Sequence, residues 1–244
     1  MSNMFEMNDD LMPSERVLNA ASFGQHEALL SALKEKGDPN YVRLDIAPSL
    51  ICCMRAYDDC LRILMEHGAR GDIANRVGWT AFHEASQKED FSCLEILLSH
   101  PEQTVFTVRD SLGETALHAA IVANRFENAN ALIKASPELL FMRNENGVSP
   151  VMWAVTNRKI DWLEWCLLHG ADVNQSNERD ESAASASHDW PEGKLMIENM
   201  KNMVVIAPVK RAIVVNDISE KEDVKEVTTN PFGLGVVKKK AFVN

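Results

Sequence analysis

The chain lacks the features that mark most membrane, secreted and catalytic proteins. Its apolar runs fall short of the roughly 18 residues that a membrane span needs, so no span is expected. The first residues have neither the basic start nor the apolar run of a secretory signal, and we expect a cytoplasmic location. No Gly-rich phosphate loop, nucleophile elbow or His-Glu-x-x-His sequence occurs. We therefore expect no enzymatic activity and no cofactor.

Cysteine is scarce and does not occur in metal-binding pairs. The chain has five cysteines and no Cys-x-x-Cys sequence, which argues against a disulfide framework or a zinc site. Cys52, Cys60, Cys93 and Cys166 fall at predicted helix positions, where a free thiol packs as a small hydrophobic side chain. We expect these four thiols in the core.

Basic residues are also few, and the chain carries a net charge of −11. Residues 1–200 contain 17 Lys and Arg against 31 Asp and Glu, whereas residues 201–244 contain eight against five. Phosphate recognition rests on a high density of Lys and Arg, so a nucleic-acid partner is not expected. The acidic part favours a protein partner of basic or mixed charge, or else is a solvated surface.

What the sequence does have is an internal repeat. Residues 113–120 read Gly-Glu-Thr-Ala-Leu-His-Ala-Ala, and the same frame returns at 78–85 and 147–154. The spacings are 35 and 34 residues. In each copy a Gly permits the positive φ of a tight turn, and a hydroxyl residue follows at a position that caps a helix. Pro150 fits the first helical position, where its missing N–H costs nothing.

A second apolar helix is predicted after each copy of the motif. A period of this kind, with paired helices in each unit, is typical of a stacked helical array. The motifs resemble ankyrin repeats, and a weaker copy upstream places Ala47-Pro48 at 33 residues before Thr80-Ala81. The resemblance implies an all-α ankyrin-repeat solenoid of helix-turn-helix units with short hairpin loops, followed by a short non-repeat C-terminal tail.

The resemblance covers most of the chain. We expect an N-terminal extension over 1–13, an array of about five units over 14–200, and a non-repeat tail over 201–244. The end of the array is a degenerate cap in which Pro191 is expected to break the pattern. The tail contains two β-branched runs, at 204–206 and 212–215, which have no helical period.

Two histidines hold the same slot of successive motifs. His83 and His118 suggest a metal or acid–base pair, but Leu50 and Met152 hold that slot in neighbouring copies. Chemistry would not tolerate these replacements, whereas packing can. In ankyrin repeats, this His bonds backbone groups between units, and the resemblance implies the same structural role here.

The tryptophans divide into core and surface. Trp162 and Trp165 fall at second-helix positions that are apolar in ankyrin units, so we expect them in the core. Trp79 lies between the turn Gly and the capping Thr, at a tip position that the resemblance implies is exposed. We expect it to contribute little to folding and strongly to binding. Trp153 is expected on the concave side of its helix.

The resemblance implies a monomeric, non-enzymatic protein-interaction module. It would bind a partner protein through its hairpin tips and concave helical face, as an inhibitor or a scaffold. An alternative is a regulatory or targeting subunit of an enzyme complex, or a secreted pathogen effector, that acts through the C-terminal tail. The expected partner-binding residues are Arg76, Trp79, Lys88, Asp110, Glu114, Asn124, Glu145, Trp153 and Arg158.

Overall fold

The computed structural model describes residues 11–101, 105–177, 179–201, 203–205, 227–229 and 235–238. The chain divides into two compact units, Met1–Asn146 and Gly147–Asn244, and each is described separately below. The elements of the first unit and most of those of the second are helices, as the predicted all-α ankyrin fold requires.

The first unit consists of four helix pairs. Its helices are α1 (Pro13–Phe23), α2 (His26–Lys34), α3 (Pro48–Arg55), α4 (Asp58–Glu66), α5 (Ala81–Gln87), α6 (Ser92–Leu98), α7 (Ala116–Val122) and α8 (Phe126–Ala135). The first helices of the pairs, α1, α3, α5 and α7, pack against one another in chain order. The second helices α2, α4 and α6 pack as another layer.

The repeated motif forms the start of each first helix. Thr80 directly precedes α5, and its hydroxyl accepts a hydrogen bond from the His83 amide at 3.4 Å. Gly78 adopts a φ of +76°, which is the left-handed turn expected before the cap. The weaker upstream copy also starts a helix at the same phase of the repeat, since α3 begins at Pro48 and α5 begins at Ala81. The predicted register of the repeat is confirmed.

The core of the first unit includes the apolar faces of the second helices. Leu94, Leu97, Ala129 and Leu132 are fully buried, as their spacing predicts. All five cysteines of the chain are buried and free, which confirms the core position expected for four of them. Burial raises the pKa of the Cys52 thiol and keeps its sulfur in the neutral form.

A buried side-chain amide joins α8 to the preceding helix pair. Asn128 Nδ2 lies 2.9 Å from the Ser86 carbonyl oxygen and 3.0 Å from that of Lys88. These carbonyls end α5, where helical carbonyls have no partner within the helix. Asn128 is therefore a cap supplied by the next helix pair, a contact that the sequence analysis did not anticipate.

Two other features of the first unit lie between the motif copies. Phe106 packs edge to face on Phe82 of α5, with ring centroids 5.3 Å apart. A 3-10 helix over Pro137–Phe141 buries Leu139 and Leu140. The motif search did not find these contacts because they come from connecting segments that have no counterpart in the other copies.

The second unit begins with one further helix pair of the repeat. Its helices are α9 (Pro150–Thr156), α10 (Ile160–Leu168), α11 (Ala183–Ala186) and α12 (Pro191–Lys201), with a 3-10 helix over Ser187–Asp189. Trp162 and Trp165 are fully buried on α10 and meet edge to face at 5.3 Å, which confirms their predicted core role. α10 packs on α9 and α12.

Pro191 does more than break the repeat pattern. It is the first residue of α12, a helix of 11 residues. The first helical position has no intrahelical use for an N–H, so Pro starts a helix there as readily as it ends one. The expected degenerate cap thus carries a full helix after its proline.

Among the described residues after α12, three short strands occur. They are β1 (Met203–Val205), β2 (Val227–Thr229) and β3 (Gly235–Lys238), arranged in the order β1-β3-β2 with β3 antiparallel to both neighbours. Val204 and Val227 each pair with Val237. The first predicted β-branched run therefore contributes to β1, whereas the second, 212–215, lies outside the described residues. The predicted boundaries at 13 and 200 stay predictions.

We expect Leu97→Ala to lower the free energy of unfolding by about 2–5 kcal/mol, because it leaves a cavity among fully buried side chains. Leu132→Ala should have a similar effect. Leu112→Ala is the matched control, since its side chain is exposed and the change should stay within about 0.5 kcal/mol. Urea unfolding followed by circular dichroism measures all three. Equal effects of Leu97→Ala and Leu112→Ala would contradict this core.

Candidate partner-binding site

The turns before the first helices form a row in the first unit. We call these turns the tips, and they comprise residues 43–46, 75–79, 109–114 and 143–146. The Ser111 amide donates to the Val77 carbonyl at 2.8 Å, and the Glu145 amide donates to the Leu112 carbonyl at 2.9 Å. Backbone hydrogen bonds thus join the second tip to the third and the third tip to the fourth.

An ion pair joins the first two tips. Arg76 Nε donates to Asp45 Oδ2 at 2.7 Å, and the two side chains remain 73% and 43% exposed. Pairs this exposed contribute about 1 kcal/mol or less. Arg76, a predicted partner-binding residue, therefore contributes little to stability and remains open to solvent.

Each central tip is closed by a short polar side chain. Asn75 Oδ1 accepts hydrogen bonds from the Val77 and Trp79 amides at 3.0 and 2.9 Å. Asp110 holds the same place in the next tip, where its Oδ1 accepts from the amides two and four residues later at 2.9 and 2.8 Å. Such Asx turns fix the backbone locally. Asp110, another predicted partner-binding residue, is engaged in folding its own tip.

Two glycines permit the close approach of neighbouring tips. A Cβ atom at Gly78 would lie 2.5 Å from the Asp110 Cα, and one at Gly113 would lie 2.6 Å from the Glu145 nitrogen. No side chain fits at such distances, so the glycines are required by contact as well as by their positive φ.

Three large aliphatic side chains project from consecutive tips. Leu44, Val77 and Leu112 are 62%, 47% and 57% exposed. Each stands one residue before a turn residue with a positive φ, and Leu44 itself also has a positive φ. We call these three side chains the tip row. The sequence analysis missed them because it treated tip positions as polar. The available signal was an apolar residue recurring at the same phase of three successive copies.

His83 ties the second tip to the third. The ring is buried, its Nε2 donates to the Glu114 carbonyl at 3.1 Å, and its Nδ1 accepts from the Thr80 amide at 3.2 Å. Burial lowers the pKa of His83 and favours the neutral ring that this pattern requires. His118 repeats the inner half of the arrangement, with Nδ1 3.2 Å from the Thr115 amide. The structural role predicted for His83 is confirmed.

Trp79 is half-buried, and the expectation of an indole left in water was wrong. Its Nε1 donates to Glu84 Oε2 at 3.2 Å, and its ring lies 5.0 Å from the His83 ring. Glu84 comes from the first turn of α5 and also pairs with Lys88 at 2.8 Å. The indole is therefore folded back along the helix that it precedes, and it contributes to packing as well as to the surface.

Lys88 and Asn124 lie at the other end of the first helices. Lys88 follows α5 and donates to the Met54 carbonyl at 3.3 Å, and Asn124 follows α7 with a φ of +60°. The helices between these positions and the tips have seven residues, which corresponds to about 10 Å at 1.5 Å per residue. The structure does not bring these two residues to the tips.

Two predicted glutamates belong to the tips. Glu114 is half-buried, and burial together with the nearby Asp110 charge raises its pKa, while a hydrogen bond from Asn144 opposes the shift. Glu145 is exposed, and its amide supplies the backbone bond to the preceding tip. Of the two, Glu145 presents its charge more fully to solvent.

The remaining predicted residues, Trp153 and Arg158, belong to the second unit. Trp153 is half-buried on α9, and its carbonyl accepts a hydrogen bond from Asn157 Nδ2 at 2.9 Å. Arg158 is exposed in the turn after α9, with a φ of +51°, and Nη2 donates to the Asp189 carbonyl at 3.4 Å.

Two other kinds of site, a metal centre and a membrane-spanning helix, are not found among the described residues. Within the described residues, no group of three or more His, Cys, Asp and Glu side chains is placed to hold a metal ion. Among the helices in the same part of the chain, none combines the length and apolar character needed to cross a bilayer.

Comparison with known proteins decides the family. The model for ankyrin repeats (3 copies) matches residues 17–110 and 101–177, which together cover more than half of the chain. The chain belongs to the ankyrin-repeat family. Ankyrin repeats generally mediate protein–protein interactions as non-enzymatic modules, so a protein partner is indicated.

Curated ankyrin-repeat relatives are longer than this chain. The B-cell lymphoma 3 protein homolog of Mus musculus is 31% identical over 129 residues, which are 52% of this chain and 29% of the relative. The human ankyrin repeat and SOCS box protein 16 is 29% identical over 147 residues, or 60% of this chain and 32% of that protein. The chain thus spans about a third of the length of these relatives.

Solved structures share the fold. The ankyrin repeat domain of Bcl-3 superposes with a TM-score of 0.67 at 22% identity, covering 80% of this chain and 86% of that domain. An ankyrin repeat domain from Acinetobacter baumannii AYE gives 0.65 at 14% identity, covering 76% and 97%. The ankyrin-repeat fold predicted from the motifs is confirmed.

His83 makes the free energy of unfolding depend on pH. Its pKa is lowered from the usual 6.5 in the folded protein, so below that pH the unfolded chain binds more protons and stability falls. We expect His83→Ala to cost about 1–3 kcal/mol at neutral pH, because it leaves buried backbone groups unpaired. The variant should also lose less stability than the native chain as urea unfolding is repeated at mildly acidic pH. An unchanged slope would contradict the neutral ring.

Trp79→Ala should lower stability by about 1–3 kcal/mol, less than the roughly 3–5 kcal/mol expected for a fully buried tryptophan. The loss comes from the hydrogen bond to Glu84 and the contact with the His83 ring. Trp79→Phe keeps the ring contact and should recover most of it, while Trp162→Ala supplies the core reference. Thermal unfolding decides, and an unchanged melting temperature in Trp79→Ala would support the exposed indole instead.

Proposed function

We propose that the first unit binds a partner protein through its tip row and that the chain has no enzymatic activity of its own. Inhibition and scaffolding would both use this surface, so the partner decides between them. The cytoplasmic location and the monomeric state expected from the sequence stay predictions.

The exposure of the tip row is the observation that carries this proposal. Leu44, Val77 and Leu112 stand at the same position of three consecutive tips and are all exposed. Exposed apolar side chains that recur at one edge of a repeat array supply the kind of surface that protein partners bind. Arg76 and Trp79 adjoin the row, and Arg and Trp are the residue types most often found as binding hot spots.

The rigidity of the tips also supports the proposal. Each central tip is fixed by an Asx turn. Backbone hydrogen bonds join the second, third and fourth tips, and the Arg76–Asp45 ion pair joins the first tip to the second. A surface that is already ordered loses little conformational freedom on binding, so more of the contact energy remains as affinity.

A second candidate function places the contact in the C-terminal strands. β1 and β2 flank β3, and within the described residues each of the two is paired on one side only. An edge strand of this kind can accept a strand from a partner. This arrangement would suit the alternative regulatory or targeting subunit that acts through its tail.

We expect Val77→Ser/Leu112→Ser to abolish capture of partner proteins by the full-length chain, since both changes remove apolar contact area from the tip row. Met54→Ser/Val122→Ser is the matched control, because these side chains are as exposed but lie toward the other end of the first helices. Both double variants should unfold at the native temperature. Partners would be captured from cell extract and quantified by mass spectrometry.

Each other outcome assigns the interface elsewhere. Loss of partners in the Met54/Val122 variant alone would move it to the helix ends, where Lys88 and Asn124 lie. Loss only in a Val237→Pro variant, which removes a ladder hydrogen bond from β3, would favour the second candidate.

A further inference from the structure

The exposed charges of the tips are mostly positive, whereas the chain as a whole carries −11. The tips contain four arginines, Arg43, Arg76, Arg109 and Arg143, and four acids, Asp45, Asp110, Glu114 and Glu145. The four arginines, Glu145 and the side chain of Asp45 are exposed, so four of these six exposed charges are basic. A partner that meets the tips therefore meets guanidinium groups between aliphatic side chains.

The acids of the tips are used within the fold. Asp45 pairs with Arg76, Asp110 accepts two amides of its own tip, and Glu114 is half-buried with a raised pKa. The Asp45 carboxylate offsets the charge of one guanidinium. Asp110 and Glu114 are half-buried within their own tip, so they reduce the positive charge at the surface less than exposed carboxylates would.

The arginines keep hydrogen-bonding capacity. Arg43 Nη1 donates to Glu15 at 3.2 Å, and Arg109 Nη1 donates to the Arg143 carbonyl at 3.0 Å. A guanidinium has five N–H donors, so each of these exposed side chains retains donors for a carboxylate on another molecule. Arginine and carboxylate groups pair in a planar, two-bond geometry that gives specificity as well as attraction.

Most exposed acids among the described residues of the first unit lie outside the tips. Its exposed acids include Asp59, Glu66, Glu89, Asp90 and Glu95, which belong to the second helices α4 and α6 or to the turn before α6. Net charge is a property of the whole chain and does not report the field at one edge. The basic partner expected from composition is therefore not favoured at the tips.

We propose that the tip row binds a protein segment that combines large apolar side chains with Asp or Glu. The apolar side chains would contact Leu44, Val77 and Leu112, and the carboxylates would pair with Arg43, Arg76 and Arg109. This inference rests on the proposed function, since it specifies the chemistry of the partner that the same surface binds.

The test is a selection of short random peptides displayed on phage against the immobilised full-length chain. Peptides enriched in both apolar and acidic residues are the expected result. A synthetic peptide of the selected sequence should bind about fivefold or more weakly to Arg76→Gln/Arg109→Gln, and its affinity for the native chain should fall as salt is raised. Lys134→Gln is the control, because Lys134 is an exposed cation near the end of α8.

The outcomes separate this inference from the proposed function. Enrichment of Lys and Arg in the selected peptides would overturn the acidic partner and leave the tip row as the site. The same conclusion would follow if the peptides bound Arg76→Gln/Arg109→Gln normally but failed to bind Val77→Ser/Leu112→Ser. Peptides that bind every variant equally overturn both. Equally tight binding of a single-stranded RNA that also depends on Arg76 and Arg109 would overturn a carboxylate-specific site.

Discussion

The arrangement of the tips depends on the hydrogen bond from the His83 ring to the Glu114 carbonyl. One imidazole accepts the Thr80 amide at the start of its own helix and donates to the next tip. The ring can do both only when neutral, and its burial lowers the pKa of His83 and so favours that state. This bond holds the next tip close to the second one. The close approach of Asp110 to Gly78 is possible because Gly78 has no side chain.

The internal contacts of the tips determine which tip side chains remain exposed. Together with the His83 ring, backbone groups, two glycines and the Asx residues Asn75 and Asp110 build and align the central tips. The side chain immediately before the positive-φ residues Asp45, Gly78 and Gly113 takes no part in these contacts. These are the positions at which Leu44, Val77 and Leu112 face solvent. The parts of the repeat that hold the fold are thus different residues from those that a partner would meet.

The sequence predicts the framework well because the framework is periodic. Turn glycines, capping hydroxyls and the buried histidine recur at fixed spacing, and each has a local physical reason to be where it is. The capping amide of Asn128 could not be predicted, since it bonds carbonyls about forty residues earlier in the chain. The 3-10 helix over Pro137–Phe141 could not be predicted either, because it has no counterpart in the other copies and the periodic pattern gives no signal for it.

The candidate site was predictable only in part. Arg76, Asp110, Glu114 and Glu145 lie at the tips, and their role in partner binding stays a prediction. Trp79 was expected in water because its position says nothing of Glu84, whose side chain folds the indole back onto α5. Lys88 and Asn124 were predicted as part of a surface that includes the first helices as well as the tips, and they lie at the far ends of α5 and α7. Their role in binding also stays a prediction.

The division between framework and tip row has a consequence for how such a chain can diverge. A substitution at Gly78 or His83 meets immediate selection against misfolding, whatever the partner. If the tip row binds the partner, as proposed, a substitution at Leu44, Val77 or Leu112 changes binding at little cost in folding, because these side chains are exposed. Copies of such a chain would then be able to diverge toward different partners at three positions that the framework does not use.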